Sequence, residues 1–238
     1  MSLKESTREK LMHVSCATIT TALFKRGLRN VFLQDVHPVS VNGANMVGPA
    51  YTLRYIPARE DLNRLSVFEN PNHPQRVAIE NCPPGHVLIM DSRQDARAAS
   101  AGDILVRRLM VRGGAGIVTD GGFRDSPAIA ALDIPAYHNR PSSPTNLIQH
   151  QAVDLNVPIG CAGVPVFPGD VVVGDAEGVV IIPQELADEI ADETTAMTQF
   201  ENFVAGQVSE GYSITGLYPP TDPATLERFE AWKKANGR

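Results

Sequence analysis

Apolar residues near the amino end of the chain recur at close to helical intervals. Over residues 7–26 they occupy the positions Leu11, Val14, Ala17, Ile19 and Leu23. This spacing predicts an amphipathic helix over residues 7–26. Gly27 is placed to end that helix, because glycine readily adopts the left-handed conformation that closes a helix.

Short apolar runs follow, each partly β-branched and bounded by Gly, Pro or Asp, which predicts strands. They cover residues 47–56, 87–91, 116–119 and 134–137. Between the first two strands lies the more polar stretch 59–76, which contains the sequence NPNHP. This stretch predicts a helix that gives way to a loop.

Residues 103–112 carry clear signals for a helix. Gly102 precedes this segment, Gly113-Gly114 follows it, and its apolar positions are Ile104, Leu105, Leu109 and Met110. The strand at 116–119 comes next. An alternation of strand, helix and strand is typical of a sheet with parallel pairing, so the predicted fold class is α/β.

The carboxyl-terminal third contains a pair of strands and then a helix. Residues 164–183 include the runs VVVGD and GVVIIP, which are separated by a turn at 175–178 and predict two strands. Residues 185–208 predict an acidic helix that breaks near Gly206. Residues 211–223 are rich in Gly and Pro, and we expect an extended segment that lies on another element or another subunit.

Length and composition favour one domain. A chain of 238 residues with 43% apolar residues can fill one large core. No internal repeat or low-complexity linker divides the sequence. We therefore expect a single domain over residues 1–238, with its amino-terminal helix at about 7–26 and its carboxyl-terminal helix and tail at about 185–238.

Charge excludes some classes of partner. The net charge is −6 and no long basic run occurs, so we expect no nucleic-acid partner. The amino end is polar without an apolar signal core, and no stretch approaches the roughly eighteen apolar residues of a membrane span. The expected location is the cytoplasm, with no membrane contact.

Several common catalytic motifs are missing from the sequence. The cysteines Cys16, Cys82 and Cys161 form no CxxC pair, which argues against a zinc or redox motif. The six histidines show no HExxH spacing, and no GxSxG sequence occurs. The glycine-rich stretch 112–116 lacks a GK[ST] ending and follows a predicted helix, which favours a helix end over a phosphate-binding loop.

Residues 119–125, TDGGFRD, are a stronger candidate for chemistry. Two glycines after a buried strand allow backbone to approach a ligand, and Arg124 and Asp125 follow at once. A guanidinium can bind a carboxylate or keto oxygen, and an aspartate can hold a hard divalent cation. The alternative is an ordinary surface salt bridge or a helix cap.

A second candidate segment is Gly102-Asp103, at the start of a predicted helix. The first free amides, at Ile104 and Leu105, can bind an anion such as a substrate carboxylate. Taken alone, Asp103 is better explained as a helix cap. The two segments are consecutive in a helix-then-strand unit, so both could face one cleft.

At this point the chain resembles a known family. The sequence AGDILVRRLMVRGGAGIVTDGGFRD is similar to the core motif of the RraA-like proteins, which include 4-hydroxy-4-methyl-2-oxoglutarate aldolase, oxaloacetate decarboxylases and the ribonuclease E regulator that names them. The resemblance extends through the amino-terminal helix, the sequence VGPA at 47–50 and the sequence PGDVVVGDAEGVVIIP near the carboxyl end.

The resemblance implies roles for matching residues. Asp125 would coordinate Mg²⁺ or Mn²⁺, and Arg124 would contact the substrate keto oxygen. Asp103 would bind metal-bound water and take part in catalysis, while Gly102 and the amides at Ile104 and Leu105 would bind the carboxylate. A carboxyl-terminal glutamate, from a neighbouring subunit in family members, would complete the site; the best candidate is Glu201 and the reserve is Glu193.

The implied activity is that of a metal-dependent, class II-type carbon–carbon lyase. It would perform a retro-aldol or decarboxylation reaction on a small 2-keto acid, through a metal-stabilised pyruvate enolate. The implied fold is a layered ββα sandwich of the swivelling-domain type with a mixed, partly parallel sheet, assembled as a homotrimer or a dimer of trimers. Two alternatives stay open: a regulatory protein that inhibits an RNA-processing enzyme by contact, and a sugar-acid lyase or dehydratase with the same metal site.

Overall fold

The computed structural model describes residues 3–40 and 45–237 of the chain. In chain order the helices are α1 (Glu5–Leu11), α2 (Cys16–Lys25), α3 (Pro74–Asn81), α4 (Asp103–Val111), α5 (Ser126–Ala130), α6 (Ala187–Ser209) and α7 (Pro223–Ala235). The strands are β1 (His37–Pro38), β2 (Met46–Pro57), β3 (Val87–Asp91), β4 (Ala99–Ala101), β5 (Gly116–Thr119), β6 (Gly122–Phe123), β7 (Ala136–His138), β8 (Arg140–Pro141), β9 (His150–Leu155), β10 (Ile159–Cys161), β11 (Val164–Val166), β12 (Val171–Gly174) and β13 (Val179–Ile182).

The largest sheet is mixed. Its strand order is β1-β7-β5-β3-β2-β12-β13, and β9 also pairs with β2. The central strands β2, β3, β5 and β7 are parallel, whereas β1, β9, β12 and β13 pair antiparallel with their neighbours. The predicted α/β class with a mixed, partly parallel sheet is therefore confirmed. The predicted strands at 47–56, 87–91 and 116–119 coincide with β2, β3 and β5 to within one residue at each end.

Two apolar layers lie on opposite faces of this sheet, because successive strand residues point in opposite directions. In β3, Leu88 and Met90 pack on the side of α3, α4 and α5, whereas Val87 and Ile89 pack on the side of the β10–β11 hairpin. In β12, Val173 packs against α1, α2 and α6. Helices therefore cover one face and the hairpin covers the other, which gives the expected ββα layers.

A small parallel sheet of β4, β6 and β8 positions the candidate site. Strand β6 follows the end of β5 after two residues, so the small sheet extends from the carboxyl end of the larger one. The three short strands run in the same direction, and their carboxyl ends reach a common edge. The residues that follow these strands are Gly102, Arg124 and Ser142.

The amino-terminal prediction of one helix over residues 7–26 is wrong. Two helices, α1 and α2, occupy this region. The Ser15 side chain caps α2 by accepting a hydrogen bond from the Thr18 amide, and the Asn45 side chain donates to the Val14 carbonyl at 2.7 Å. These contacts satisfy the backbone groups left free at the break. The predicted helix end at Gly27 is confirmed by its φ of +82°.

The order predicted for residues 59–76, helix first and loop second, is reversed in the structure. Only a 3-10 turn forms at Leu65–Glu69, and an α-helix begins at Pro74. Proline lacks an amide hydrogen and is well accommodated in the first turn of a helix, so Pro74 begins α3. The Asn70 side chain accepts a hydrogen bond from the Asn72 amide and forms the turn that precedes it.

Two further boundaries differ from the prediction. The strand predicted at 134–137 is shifted to β7, where Ala136 and Tyr137 pair in parallel with β5. Helix α6 continues without a break through Gly206. The predicted strand pair in 164–183 is confirmed as β12 and β13, with Val171 opposite Ile182.

Beyond the segment that was predicted to be extended, residues 223–235 form the helix α7, for which no helix was predicted. Asp222 caps α7 by accepting from the Ala224 amide, and proline follows the cap. Leu217 packs with Phe203 of α6, so the segment before α7 lies on another element of the same chain, as expected. None of the helices in residues 3–40 and 45–237 is both long and apolar enough to cross a bilayer.

Candidate active site

The two candidate segments meet at Gly102. Strand β4 pairs in parallel with β6, and the Arg124 amide donates to the Ala101 carbonyl at 3.1 Å. A Cβ atom placed on Gly102 would lie 2.9 Å from Arg124 Cγ and 2.9 Å from Asp125 Oδ2. The absence of a side chain at position 102 thus allows the Arg124 and Asp125 side chains to lie against the start of α4.

Arg124 and Asp125 also contact each other. Arg124 Nε lies 3.3 Å from Asp125 Oδ2, and the two side chains are 47% and 44% exposed. The salt bridge considered from the sequence is therefore present. An ion pair this exposed contributes only about 0–1 kcal/mol to stability, since water screens it. Both groups remain accessible to a ligand.

The other structural explanation, helix capping, does not apply to either aspartate. Within the described residues, no side-chain hydrogen bond caps α4 or α5. Gly102 occupies the cap position of α4, and Asp103 is the first helical residue. Asp125 occupies the cap position of α5 with φ of 55° and ψ of 32°, in the left-handed region. Such a conformation costs roughly 1–3 kcal/mol for a residue other than glycine and occurs often at functional sites.

The first turn of α4 differs in one respect from expectation. The Leu105 amide donates to the Gly102 carbonyl at 3.1 Å, and the Val106 amide donates to the same oxygen at 3.2 Å. The Leu105 amide is therefore not free, because the first turn tightens into a 3-10 type of bond. In the described part of the chain, no backbone acceptor is found for the Ile104 amide. Carboxylate binding by this turn stays a prediction.

The donor atoms at this place suit a hard cation. Within residues 3–40 and 45–237, no group of three or more His, Cys, Asp and Glu side chains is arranged to hold a metal. Asp103 and Asp125 supply carboxylate oxygens on the two segments that meet at Gly102. Mg²⁺ is commonly bound by one or two carboxylates and keeps several waters, so two aspartates fit Mg²⁺ or Mn²⁺ better than a structural zinc ion.

The two candidate glutamates lie on α6 and contact other parts of the same chain. Glu193 accepts hydrogen bonds from Arg26 at 2.6 Å and from Lys25 at 3.1 Å. Partial burial tends to raise the pKa of Glu193, but the hydrogen bonds from these two cations lower it below the usual value. Glu193 is thus engaged by two cations in a structural role.

Glu201 has weaker partners. Its carboxylate accepts from Thr18 Oγ1 at 2.9 Å and from the Tyr218 hydroxyl at 3.5 Å. Hydroxyl donors leave the negative charge of Glu201 uncompensated, so Glu201 is the better candidate of the two to meet a cation. Its participation through a neighbouring subunit stays a prediction.

A buried polar cluster beneath the site was given no role in the sequence analysis. The Asp120 carboxylate accepts from the amides of Ser92 at 2.6 Å, Ala162 at 2.9 Å and Gln94 at 3.0 Å. Burial raises the pKa of Asp120, against the effect of these three donors. Asp120 therefore ties the loop after β3 and the β10–β11 turn to its own loop after β5. Its position directly after an apolar strand was the available signal.

A second omission is strand β8. The Ser142 amide donates to the Phe123 carbonyl at 2.8 Å, and a Cβ atom on Gly122 would lie 2.5 Å from Ser142 Cβ. The chain from Arg140 to Ser142 therefore lies directly beside the segment that carries Arg124. A strand of two residues leaves no periodic pattern, so the sequence offered no signal for it.

A cavity of about 670 Å³ lies away from this site. Its lining includes Ala115, Pro135 and Ala136, which lie at the amino ends of β5 and β7. Arg124 follows the carboxyl end of β6 on the opposite side. Arg124 therefore lies outside this cavity, and its side chain is 47% exposed.

Comparison with known proteins decides the family. The profile described as RraA-like, Aldolase/RraA, matches residues 16–181. The chain belongs to the RraA-like family. The matched region contains Gly102, Asp103, Arg124 and Asp125, whereas Glu193 and Glu201 lie beyond it.

Relatives of this RraA-like protein carry different names. A Halalkalibacterium halodurans protein named "Putative 4-hydroxy-4-methyl-2-oxoglutarate aldolase" is 34% identical over 158 residues, which cover 66% of this chain and 68% of that protein. A Streptomyces coelicolor structure, RraAS2, described as an unusual member of the RNase ES inhibitor RraA protein family, is 30% identical with a TM-score of 0.74. That match covers 85% of this chain and 97% of the Streptomyces chain.

A structure of an uncharacterized protein from Pseudomonas syringae pv. tomato supports the fold. Its TM-score is 0.78 at 23% identity, with coverage of 92% of this chain and 99% of that chain. At this identity the likeness concerns the fold alone. The family and the fold are thus shown.

Proposed function

We propose that this RraA-like protein is a divalent-metal-dependent lyase that cleaves a carbon–carbon bond of a small 2-keto acid. The observation that carries the proposal is the meeting of Gly102, Asp103, Arg124 and Asp125 at one edge of the small sheet. The 34% identity to a protein named for an aldolase activity agrees with it. The substrate class is that of 4-hydroxy-4-methyl-2-oxoglutarate, of oxaloacetate, or of both.

In this proposal Arg124 stabilises the negative charge that develops on the substrate. Its guanidinium donates hydrogen bonds to the C2 keto oxygen, where negative charge develops as the C3–C4 bond breaks. The electron pair of that bond moves into the C2–C3 bond and onto the oxygen, giving an enolate. A proton then returns to C3, and one pyruvate is released.

Asp103 moves the other proton. In the aldol cleavage the C4 hydroxyl has to lose its proton as it becomes a carbonyl group. The Asp103 carboxylate accepts this proton through a water molecule, which accounts for a polar, half-buried side chain at the first position of α4. Cleavage of 4-hydroxy-4-methyl-2-oxoglutarate in this way gives two molecules of pyruvate, so atoms and charge balance. Decarboxylation of oxaloacetate uses the same enolate and releases CO₂ in place of the second carbonyl product.

Asp125 would hold Mg²⁺ or Mn²⁺ directly, with Asp103 and Glu201 binding through water. The ion would supply Lewis-acid polarisation of the keto oxygen. Asp125 is suited to this role because its carboxylate does not cap α5 and instead lies close to Gly102. Gly102 and the first turn of α4 would place the substrate carboxylate.

The proposal includes a homotrimer or a dimer of trimers in which Glu201 reaches the site of a neighbouring subunit. Support comes from the open surface at Arg124 and from the uncompensated charge of Glu201 on α6. We further propose a soluble cytoplasmic enzyme without nucleic-acid or membrane partners, since its net charge is −6.

A regulatory protein that inhibits an RNA-processing enzyme is the second candidate, favoured by the likeness to the Streptomyces structure at 30% identity. Such a regulator needs no metal and no reactive arginine. A sugar-acid lyase or dehydratase would use the same carboxylates and Arg124 but would require room for a longer substrate.

The test is release of pyruvate from oxaloacetate and from 4-hydroxy-4-methyl-2-oxoglutarate, with and without Mg²⁺. Wild type, Arg124→Ala and the control Arg29→Ala are compared, because Arg29 is an exposed arginine far along the chain from the site. We expect metal-dependent release that Arg124→Ala lowers at least 100-fold and Arg29→Ala leaves unchanged. Metal-independent turnover, or full activity without Arg124, would contradict the mechanism.

A further inference from the structure

A second arginine lies beside the strand that carries Arg124. Arg140 is the first residue of β8 and pairs with Gly122 of β6. Arg124 is two positions beyond Gly122 and directly follows β6, which ends at Phe123. With a rise of about 3.3 Å per residue and about 4.8 Å between strands, the Cα atoms of Arg140 and Arg124 are about 8 Å apart.

Within the described part of the chain, no carboxylate pairs with the charge of Arg140. Its side chain is exposed and forms no ion pair or hydrogen bond with residues 3–40 or 45–237. Other exposed arginines do have carboxylate partners: Arg97 pairs with Asp95, and Arg108 pairs with Glu80. A guanidinium without a carboxylate partner beside a proposed anion site is available for a ligand.

The backbone that carries Arg140 is held firmly. After β8 the Ser142 amide donates to the Phe123 carbonyl at 2.8 Å. The chain then crosses to β4, where the Pro144 carbonyl accepts from the Ala99 amide at 2.9 Å and the Asn146 side chain donates to the Ala99 carbonyl at 3.2 Å. Strand and loop are thereby fixed on both sides of β6. Arg140 is consequently presented from a rigid base, which lowers the entropy lost on binding.

We propose that Arg140 is a specificity-determining residue that binds the distal carboxylate of a dicarboxylic 2-keto acid. The assignment rests on the proposed function, in which Arg124 and the start of α4 hold the keto oxygen and the first carboxylate. A guanidinium matches a carboxylate with two parallel hydrogen bonds, so the second carboxylate would be recognised by geometry as well as charge.

This placement also favours one reaction over the other. In oxaloacetate the distal carboxylate is the group that leaves as CO₂ and loses its charge. An arginine bound to that carboxylate stabilises the ground state more than the transition state, and so slows the loss of CO₂. In 4-hydroxy-4-methyl-2-oxoglutarate the distal carboxylate stays charged through the aldol cleavage. Arg140 therefore favours cleavage of the longer diacid.

The experiment measures binding of two acids that cannot be cleaved, 2-oxoglutarate and 2-oxopentanoate, which differ in the distal carboxylate. Isothermal titration calorimetry in the presence of Mg²⁺ compares wild type, Arg140→Gln, Arg140→Lys and the control Arg29→Gln. We expect wild type to bind 2-oxoglutarate about 10- to 100-fold more tightly, as for a hydrogen bond to a charged group. Arg140→Gln should remove this preference, Arg140→Lys should keep part of it, and Arg29→Gln should keep all of it.

The assignment is overturned if wild type shows no preference for the diacid, including failure to bind either acid, or if Arg140→Gln keeps the preference. If Arg140→Gln does not fold, Arg140→Lys decides, because loss of the planar fork should weaken 2-oxoglutarate several-fold and leave 2-oxopentanoate unchanged. A different result would contradict the proposed function and leave the role of Arg140 intact. Pyruvate would then not be released from 4-hydroxy-4-methyl-2-oxoglutarate, although the diacid preference and its loss in Arg140→Gln persist.

Discussion

A Cβ atom on Gly102 would stand 2.9 Å from the Cγ atom of Arg124. The glycine is therefore a condition for the position of the guanidinium that the proposed mechanism uses. We predict that Gly102→Ala lowers kcat/KM for pyruvate release about 100-fold, because a displacement near 1 Å of a catalytic group costs about that factor. Stability should change by less than about 1 kcal/mol, since the displaced atoms belong to exposed, flexible side chains.

Gly160→Ala is the matched control for this substitution. A Cβ atom on Gly160 has no neighbour within 4 Å among the described residues. We expect Gly160→Ala to retain wild-type kinetics and Gly102→Ala to show the loss. Equal kinetics in the two variants would mean that the close approach at Gly102 has no bearing on the reaction.

Asp125→Asn separates the charge of this residue from its backbone conformation. Asparagine tolerates the left-handed region as aspartate does, so the φ of 55° should be kept and the midpoint of thermal unfolding should stay within a few degrees. The lost charge should weaken Mn²⁺ binding at least tenfold, as measured by titration calorimetry. Undiminished Mn²⁺ affinity in Asp125→Asn would argue against Asp125 as the metal ligand.

Part of the site was accessible from the sequence because its signals are local. Gly102 before a helix pattern, and Arg124-Asp125 after an apolar strand, identified both segments, and their meeting follows from parallel pairing. The break between α1 and α2 depends on Asn45, which is 31 positions from Val14, and no local pattern reports such a contact. Arg140 was missed for the same kind of reason, since β8 has only two residues.

At the start of α4, residue spacing alone predicted more free backbone amides than the structure has. The sequence suggested free amides at Ile104 and Leu105, and the structure closes the Leu105 amide onto Gly102. The helix start is determined by sequence, but the tightness of its first turn depends on the backbone around Gly102. This backbone is fixed by the pairing of β4 with β6.

The buried His138 predicts a pH dependence of stability. Burial lowers the pKa of His138 from 6.5 to about 4, the nearby His37 adds to this effect, and His138 Nδ1 has no hydrogen-bond partner in the described residues. The unfolded chain therefore binds a proton below pH 6.5 that the folded chain accepts only near pH 4. Stability attributable to His138 is full above pH 6.5 and is lost as the pH falls to about 4, by roughly 3 kcal/mol.

The measurement is the free energy of unfolding by urea between pH 7 and pH 4.5. His138→Phe should flatten its decline, because phenylalanine fits beside Phe123 and takes up no proton. The exposed His13 supplies the control, and His13→Gln should follow the wild-type curve. Other buried groups contribute equally to all three proteins, so the difference isolates His138. Parallel curves for wild type and His138→Phe would disprove this origin of the slope.

Glu201 and Glu193 make distinguishable predictions. Glu193 holds Arg26 and Lys25, so Glu193→Gln should cost about 1 kcal/mol of stability and leave kcat unchanged. Among the described residues Glu201 has only hydroxyl partners, so Glu201→Gln should leave stability near wild type. If Glu201 completes the site of a neighbouring subunit, Glu201→Gln should lower kcat about 100-fold.

Mixed oligomers test whether the glutamate acts between subunits. Arg124→Ala and Glu201→Gln chains are each nearly inactive in this scheme. In an equal mixture, a site is intact only where Glu201→Gln supplies Arg124 and its neighbour Arg124→Ala supplies Glu201. After unfolding and refolding together, such a mixture should regain about a quarter of wild-type activity, as random assembly of a cyclic oligomer requires. If both variants are inactive alone and the mixture also regains no activity, Glu201 belongs to its own subunit's site; activity of Glu201→Gln alone would place Glu201 outside the reaction.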